Sequence, residues 1–178
     1  MSAAVFSLTR SRQVARTVLL VGEGDAEVLF MQHLKAIYVQ RGSGVMVTIR
    51  NARGKGAAHV VDFAFRQSRN AAYDMKAVLL DTDTDWNDKT RAAARKAKVH
   101  VMPCQPCFEA VLLTVHKASV EGRTTAQLKH DFAARFGAAA SDRLVLRHFN
   151  RELFDEARSR IIVLNMLWKL LTKAEVNV

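Results

Sequence analysis

The fold is decided by the stretch Lys76-Ala77-Val78-Leu79-Leu80-Asp81-Thr82-Asp83-Thr84-Asp85. Its apolar segment, 77–80, predicts a strand buried on both faces. Three acidic residues, Asp81, Asp83 and Asp85, then alternate where the strand ends. Carboxylates crowded in this way raise one another's pKa unless a cation neutralises them, and Mg²⁺ and Mn²⁺ are held by carboxylate oxygens. The stretch therefore predicts a Mg²⁺ or Mn²⁺ site at the end of a buried strand, and the alternative is an Asp-rich turn.

A strand followed by a helix is predicted four times along the first part of the chain. Short apolar runs mark the strands at 17–21, 45–49, 76–80 and 98–102, and the last run is expected to stop at Pro103. Apolar residues spaced by three and four predict the helices between them. This alternation favours an α/β fold with a mainly parallel four-stranded sheet, flanked by helices and joined by right-handed crossovers.

Beyond the fourth strand the sequence predicts only helices. They span 108–116, 125–136 and 150–171, the last capped by Asn150. The apolar face of the last helix is expected to pack in the protein's own core or in a homo-oligomer. We interpret residues 1–16 as a basic arm and 17–178 as a single domain, in which 117–178 is a helical extension.

The composition describes a basic globular protein. A hydrophobic fraction of 49% is sufficient for a substantial core and excludes a largely disordered chain. No apolar run approaches the ~18 residues of a membrane span, and no signal-peptide segment is recognised, so a cytoplasmic location is expected. The net charge of +10 favours a polyanionic partner, usually nucleic acid, and the alternative is a basic surface that only aids solubility.

Acidic residues follow three of the four predicted strands. They are Glu23 and Glu27 after the first strand, Asp81 and Asp83 after the third, and Glu109 after the fourth. Ligands of an open α/β sheet bind beyond the carboxyl ends of its strands, so these side chains are expected to share one pocket. Taken singly, Glu27 is better explained as complementing the dipole of the following helix, and Glu23 as a solvated residue.

Basic residues supply candidate contacts to phosphate. Arg53 and Lys55 lie in a glycine-broken loop after the second strand, where a helix N-terminus would favour an anion. Arg91 and Arg95 lie on a predicted exposed helix and are expected to contact a phosphate backbone. The alternatives are a glycine-rich turn for the loop and an ordinary solvated face for the helix.

The acidic motifs resemble a known superfamily when they are taken in order. Glu23-Gly24-x-x-Glu27 followed by Asp81-x-Asp83 resembles the TOPRIM domain of topoisomerases, primases and OLD-type nucleases. The stretch Pro106-Cys107-Phe108-Glu109 resembles a segment of the RloB-like branch, which is small, bacterial and associated with phage defence and restriction-linked loci. The resemblance covers about 17–116. It departs at Asp25, where Thr or Ser is commoner, and in lacking a tryptophan after the later motif.

The resemblance implies a role for each acidic residue. Glu23 would act in general acid/base chemistry, Asp81 and Asp83 would bind the metal ion, Glu27 would be the second acid of the OLD-type pattern, and Glu109 an additional ligand. The implied activity is that of a Mg²⁺- or Mn²⁺-dependent nuclease or related phosphoryl-transfer enzyme, with DNA or RNA as substrate and other defence proteins as further partners. The alternative is a non-catalytic nucleic-acid-binding or scaffold module.

Three other interpretations start from the same residues. Cys104-Gln105-Pro106-Cys107 lies between a strand and a helix, as a redox pair does, although no aromatic residue precedes it. A zinc site would need a second cysteine pair, which the chain lacks. A strand followed by Asp81-x-Asp83 also resembles haloacid-dehalogenase phosphatases, but that pattern ends the first strand and has Thr or Val where Asp85 stands.

Overall fold

The computed structural model describes residues 16–83, 85–172 and 174, so the predicted basic arm lies outside the described residues except for Arg16. The strands are β1 (Arg16–Gly22), β2 (Val45–Asn51), β3 (Met75–Asp81) and β4 (His100–Cys104). The helices are α1 (Asp25–Tyr38), α2 (Gly56–Asn70), α3 (Asp88–Lys96), α4 (Phe108–Val115), α5 (Thr125–Phe136), α6 (Arg151–Ala157) and α7 (Ile162–Thr172), with a 3₁₀ helix at Arg143–His148. No helix in these ranges is both long and apolar enough to cross a membrane.

The four strands form one parallel sheet in the order β2-β1-β3-β4, which confirms the predicted α/β fold. The chain runs outward from β1 to β2 and then returns to the other side of β1 to form β3. The connections therefore diverge between β1 and β3, and a crevice opens there beyond the carboxyl ends of the strands. The order of the strands makes this the expected place for a ligand.

The two central strands carry the most buried residues of the sheet. Residues 18–21 of β1 and 77–80 of β3 have no exposed surface. Helices α2 and α3 cover one face of the sheet, while α1 and the helices from α4 onward cover the other. Covering on both faces explains why these strands read as unbroken apolar runs rather than alternating ones.

The C-terminal helices share a core with the sheet. Phe30 of α1 packs edge-on against Phe108 of α4 at 5.1 Å and against Phe154 of α6 at 5.6 Å between ring centroids. Leu167 and Leu171 of α7 are fully buried in the same cluster as the sheet residues. The apolar face of the last helix thus packs inside the protein's own core.

The prediction of one long final helix was wrong. Asn150 does cap a helix, since its side chain accepts a hydrogen bond from Leu153 N–H at 3.0 Å, but α6 ends at Ala157 and α7 begins at Ile162. In the break, the Arg160 guanidinium donates to Val115 O at 2.9 Å, and that of Arg158 lies 4.1 Å from the centre of the Trp168 ring. Periodicity could not show these tertiary contacts.

The fourth strand also lies two residues later than predicted. It begins at His100 rather than Lys98 and includes Pro103, which was expected to end it. Pro103 pairs in register with Leu80, and β4 is an edge strand of the sheet. A proline is tolerated there because one side of an edge strand needs no backbone donor.

The two tryptophans allow the shared core to be tested. Trp86 follows β3 and Trp168 lies on α7, so the variants Trp86→Phe and Trp168→Phe each keep one reporter. A shared core unfolds in one cooperative transition, so we expect the fluorescence and far-ultraviolet circular dichroism midpoints in urea to coincide within each variant. Separate midpoints would show that the helical extension unfolds on its own.

Candidate functional site

The ends of β1 and β3 are joined through Glu23. Its backbone N–H donates to Leu79 O at 3.1 Å, and its side-chain Oε2 accepts a hydrogen bond from the backbone N–H of Asp81, also at 3.1 Å. The predicted catalytic glutamate is therefore fixed on the residue that was predicted to bind metal. One of its two carboxylate oxygens is occupied by this bond.

Glu27 is turned back beneath the start of α1. It is 7% exposed, and its Oε2 accepts a hydrogen bond from the backbone N–H of Gly24, as in a capping box. The close approach requires glycine at the end of β1, because a Cβ on Gly22 would lie 2.9 Å from the Cβ of Glu27. Burial raises the pKa of Glu27, against the lowering effect of the backbone hydrogen bonds.

Asp81 and Glu109 each have a buried oxygen without a hydrogen-bond partner among the described residues. These atoms are Oδ1 of Asp81 and Oε2 of Glu109, which lies in the first turn of α4. Burial raises the pKa of Asp81 to about 7, and the charges of Glu27, Glu109, Glu23 and Asp83 add to the effect. Partnerless buried carboxylate oxygens are costly, and a hard cation is one group that would satisfy them.

Two residues of α5 that were not predicted from the sequence approach the carboxylates. Thr125 donates from Oγ1 to Oδ2 of Asp83 at 3.1 Å. Lys129 follows one turn later on the same helix. Burial lowers its pKa, but the charges of Glu109 and Asp81 outweigh this and raise the pKa above its usual value. Their spacing of four was the available signal, but nothing in the sequence placed this helix over the sheet edge.

The structure brings the five predicted acidic residues to one edge of the sheet without forming a ready metal site. In the part of the chain that the structure describes, no group of three or more His, Cys, Asp or Glu side chains is placed to hold a metal ion. Glu23 is bonded to a backbone N–H and Asp83 to Thr125. The donor chemistry still fits Mg²⁺ or Mn²⁺, since all are carboxylates and two oxygens lack partners. The metal site stays a prediction.

The basic loop lies beside the end of β1. Gly54 N–H donates to Glu23 O at 2.7 Å, which holds the loop at the edge where the carboxylates gather. Four successive residues, 53–56, have positive φ angles, from 62° to 80°. This left-handed backbone forms a tight bend, with the side chains of Arg53 and Lys55 exposed to solvent.

The N-terminus of α2, which the sequence analysis assigned to a phosphate, holds a carboxylate of the protein itself. Asp85 Oδ1 accepts a hydrogen bond from Ala57 N–H at 2.7 Å, and its Oδ2 one from Ala58 N–H at 3.4 Å. A Cβ on Gly56 would lie 2.7 Å from Asp85 Oδ1, so the glycine makes room for this carboxylate. Asp85 is thus a helix cap rather than a metal ligand.

The two predicted phosphate-binding arginines of α3 have different surroundings. Arg91 forms an ion pair with Asp88 at 2.8 Å, and its guanidinium lies 5.3 Å from the centre of the Trp86 ring. Arg95 is exposed and forms no ion pair with the described residues. Both belong to the face of the sheet opposite α4 and α5.

The cysteine pair lacks the chemistry of a redox site. Cys104 and Cys107 are both buried as free thiols. Burial raises the pKa of the Cys107 thiol to about 11, and the charges of Glu109 and Asp81 act in the same direction. Redox cysteines react as thiolates and have lowered pKa values, so the burial and raised pKa of this pair disfavour redox chemistry.

The cap formed by Asp85 leads to a stability prediction. Asp85→Ala is expected to lower the free energy of unfolding by about 1–2 kcal/mol, because it removes a side-chain cap and a charge that favours the helix dipole. Urea denaturation would measure the change. Asp62→Ala is the matched control on α2, since its carboxylate is exposed and paired only with Arg66, and it should change the value by at most about 0.5 kcal/mol. Equal losses in the two variants would contradict the cap.

The buried Asp81 leads to a pH prediction. The pKa of Asp81 is 3.8 in the unfolded chain and about 7 in the fold, so the folded protein retains this proton to higher pH. The folded protein then binds more protons between about pH 4 and pH 7, so the free energy of unfolding of the metal-free protein should fall as the pH rises through this range. Urea denaturation with chelator at several pH values would measure this dependence, and the free energy of unfolding should fall less with pH in Asp81→Asn than in wild type. The same pH dependence in Asp81→Asn and wild type would contradict the raised pKa of Asp81. Asp62→Asn is the control.

Comparison of the chain with known proteins finds no relative. No family model, curated protein or solved structure matches the chain. The resemblance to the TOPRIM superfamily and its RloB-like branch therefore remains a prediction from three motifs, Glu23 to Glu27, Asp81-x-Asp83 and 106–109. In the structure these motifs lie after β1, at the end of β3 and at the start of α4.

Proposed function

We propose that this protein is a metal-dependent nuclease or related phosphoryl-transfer enzyme of the RloB-like TOPRIM type, acting on DNA or RNA in the bacterial cytoplasm as part of phage defence. The observation that carries the proposal is the meeting of carboxylates from three separate chain segments where β1 and β3 end, with two buried oxygens that lack partners among the described residues. This is the crevice in which open α/β sheets bind ligands.

The energetic cost of the arrangement supports a functional role. Burial and like charges raise the pKa of both Asp81 and Glu27. Neither carboxylate forms an ion pair with a described Lys or Arg within 4.0 Å, and such a partner would relieve the cost if the cluster served only stability. Strongly perturbed carboxylates in a crevice are typical of catalytic sites.

The residues divide the chemistry between them. Asp81, Asp83, Glu27 and Glu109 would hold Mg²⁺ or Mn²⁺, which when bound polarises a phosphodiester and lowers the pKa of a water molecule. Glu23 is held in place by the Asp81 backbone N–H and keeps one carboxylate oxygen free of that bond to accept a proton.

Cationic side chains lie on two elements next to the carboxylates, α5 and the loop after β2. Lys129 on α5 lies on one side, and the exposed Arg53 and Lys55 lie on the loop that is hydrogen-bonded to Glu23 O. They would bind the phosphates that flank the reacting one and offset the negative charge of the substrate and carboxylates. Arg91 and Arg95 lie on the other face of the sheet and would contact the nucleic-acid backbone separately from these side chains.

A second candidate is a non-catalytic module that binds nucleic acid or other defence proteins. The favouring observation is that the described residues include no group of three ligands placed to hold a metal ion. In this case the basic side chains would bind the phosphate backbone of the nucleic acid, and the carboxylates would remain partly protonated. The two candidates differ in whether a divalent ion binds and whether phosphodiester bonds break.

Site variants separate the two candidates. Glu23→Gln and Asp81→Asn are expected to lower cleavage of DNA or RNA with Mg²⁺ or Mn²⁺ at least ~10²-fold, the loss typical of removing a positioned catalytic group. Both should still bind the nucleic acid in fluorescence polarisation. Asp81→Asn should also weaken Mn²⁺ binding measured by calorimetry.

Glu121→Gln is the control, because Glu121 is exposed and forms no ion pair with the described residues. Cleavage equal to wild type in Glu23→Gln and Asp81→Asn would contradict the site. Nucleic-acid binding without Mn²⁺ binding or cleavage by the wild-type protein would favour the non-catalytic module.

A further inference from the structure

A groove with a volume of about 620 Å³ lies between α2 and α3, on the face of the sheet opposite α4 and α5. Its apolar surface comes from Val61 and Phe65 on α2 and from Ala93 and Ala97 at α3. The alanines are small and leave the groove shallow, and the Phe65 side chain is 42% exposed. The groove is thus wide, apolar and open to solvent.

The free charge at the rim of the groove is positive. Lys89 and Lys96 line it from α3, and neither forms an ion pair with any described residue. The two acidic residues that also line the groove are engaged. Asp62 pairs with Arg66 at 3.0 Å, and the carboxylate of Asp85 caps α2. An occupant would therefore meet two unpaired ammonium groups.

From these features we infer that the groove binds an acidic amphipathic helix of a partner protein. Seven residues separate Lys89 from Lys96, which is about two helical turns or ~10 Å along α3. A helix lying in the groove would place apolar residues at i, i+3, i+4 and i+7 on the floor and acidic residues two turns apart against the lysines.

The apolar floor favours this occupant over nucleic acid. A phosphate backbone would pair with Lys89 and Lys96 but has no apolar surface to cover the exposed Phe65 and Ala93. Burying apolar surface on both partners is favourable, so a helix with an apolar stripe would use both the apolar floor and the two lysines. The inference does not depend on the proposed nuclease activity, because the groove lies on the other face of the sheet.

Peptide binding to the full-length protein tests the inference. The probe is a fluorescein-labelled helical peptide of about four turns with Leu at i, i+3, i+4 and i+7 and Glu at the flanking positions. A second peptide has Lys in place of every Glu, and a single-stranded oligonucleotide is the third probe. Fluorescence polarisation gives the dissociation constant of each with wild type, Phe65→Ala, the double variant Lys89→Glu/Lys96→Glu and the control Arg41→Glu/Arg143→Glu.

The acidic peptide is expected to bind wild type and the control equally. Its affinity should fall at least tenfold in Phe65→Ala and in Lys89→Glu/Lys96→Glu, and the latter should instead prefer the lysine peptide. Arg41 and Arg143 are exposed and do not line the groove, so their variant matches the charge change elsewhere. Absence of acidic-peptide binding, equal losses in the control, or a dependence on Lys89 and Lys96 for the oligonucleotide alone would overturn the inference.

Discussion

The burial of like charges where β1 and β3 end is the constraint on which the rest of the site depends. Asp81 and Glu27 are withdrawn from water close to Glu23 and Glu109, and their pKa values rise accordingly. Backbone donors hold the carboxylates of Glu23 and Glu27. Asp81 N–H binds Glu23, and Gly24 N–H binds Glu27. Neither Asp81 nor Glu27 forms an ion pair within 4.0 Å with a Lys or Arg among the described residues, and a cation bound at this edge would offset their charge.

The strand order and one glycine make this proximity possible. Because β3 returns beside β1, the segments that follow these strands meet although a whole β-α unit separates them in sequence. Gly22 then allows α1 to start directly against the strand end, since a Cβ there would lie 3.0 Å from Val28 N. The C-terminal helices complete the enclosure, because α5 places Thr125 on Asp83. The helical extension is thus part of the candidate site and not an appendage to it.

The sequence predicted the parallel sheet and the segments that carry the carboxylates because both follow from local patterns. Unbroken apolar runs indicate central strands, and the carboxyl ends of parallel strands share an edge. What it could not show depends on contacts between distant residues. The break after Ala157 follows from where Arg158 and Arg160 bind, and the role of Asp85 follows from the neighbouring α2. Lys129 lacked any motif, because one helical lysine resembles another until its neighbours are known.

The caps that Asp85 and Glu27 form also limit how the protein can hold phosphate. A helix N-terminus is a common anion site, but Asp85 binds the first backbone donors of α2, and Glu27 binds the Gly24 N–H at the start of α1. Phosphates of a nucleic acid would therefore meet basic side chains, such as Arg53 and Lys55, rather than these backbone groups. Contacts of this kind release counterions and weaken steeply as salt rises, whereas backbone cradles give geometric selectivity. If the proposed function is correct, an interface of this kind would follow a phosphate backbone through its charge.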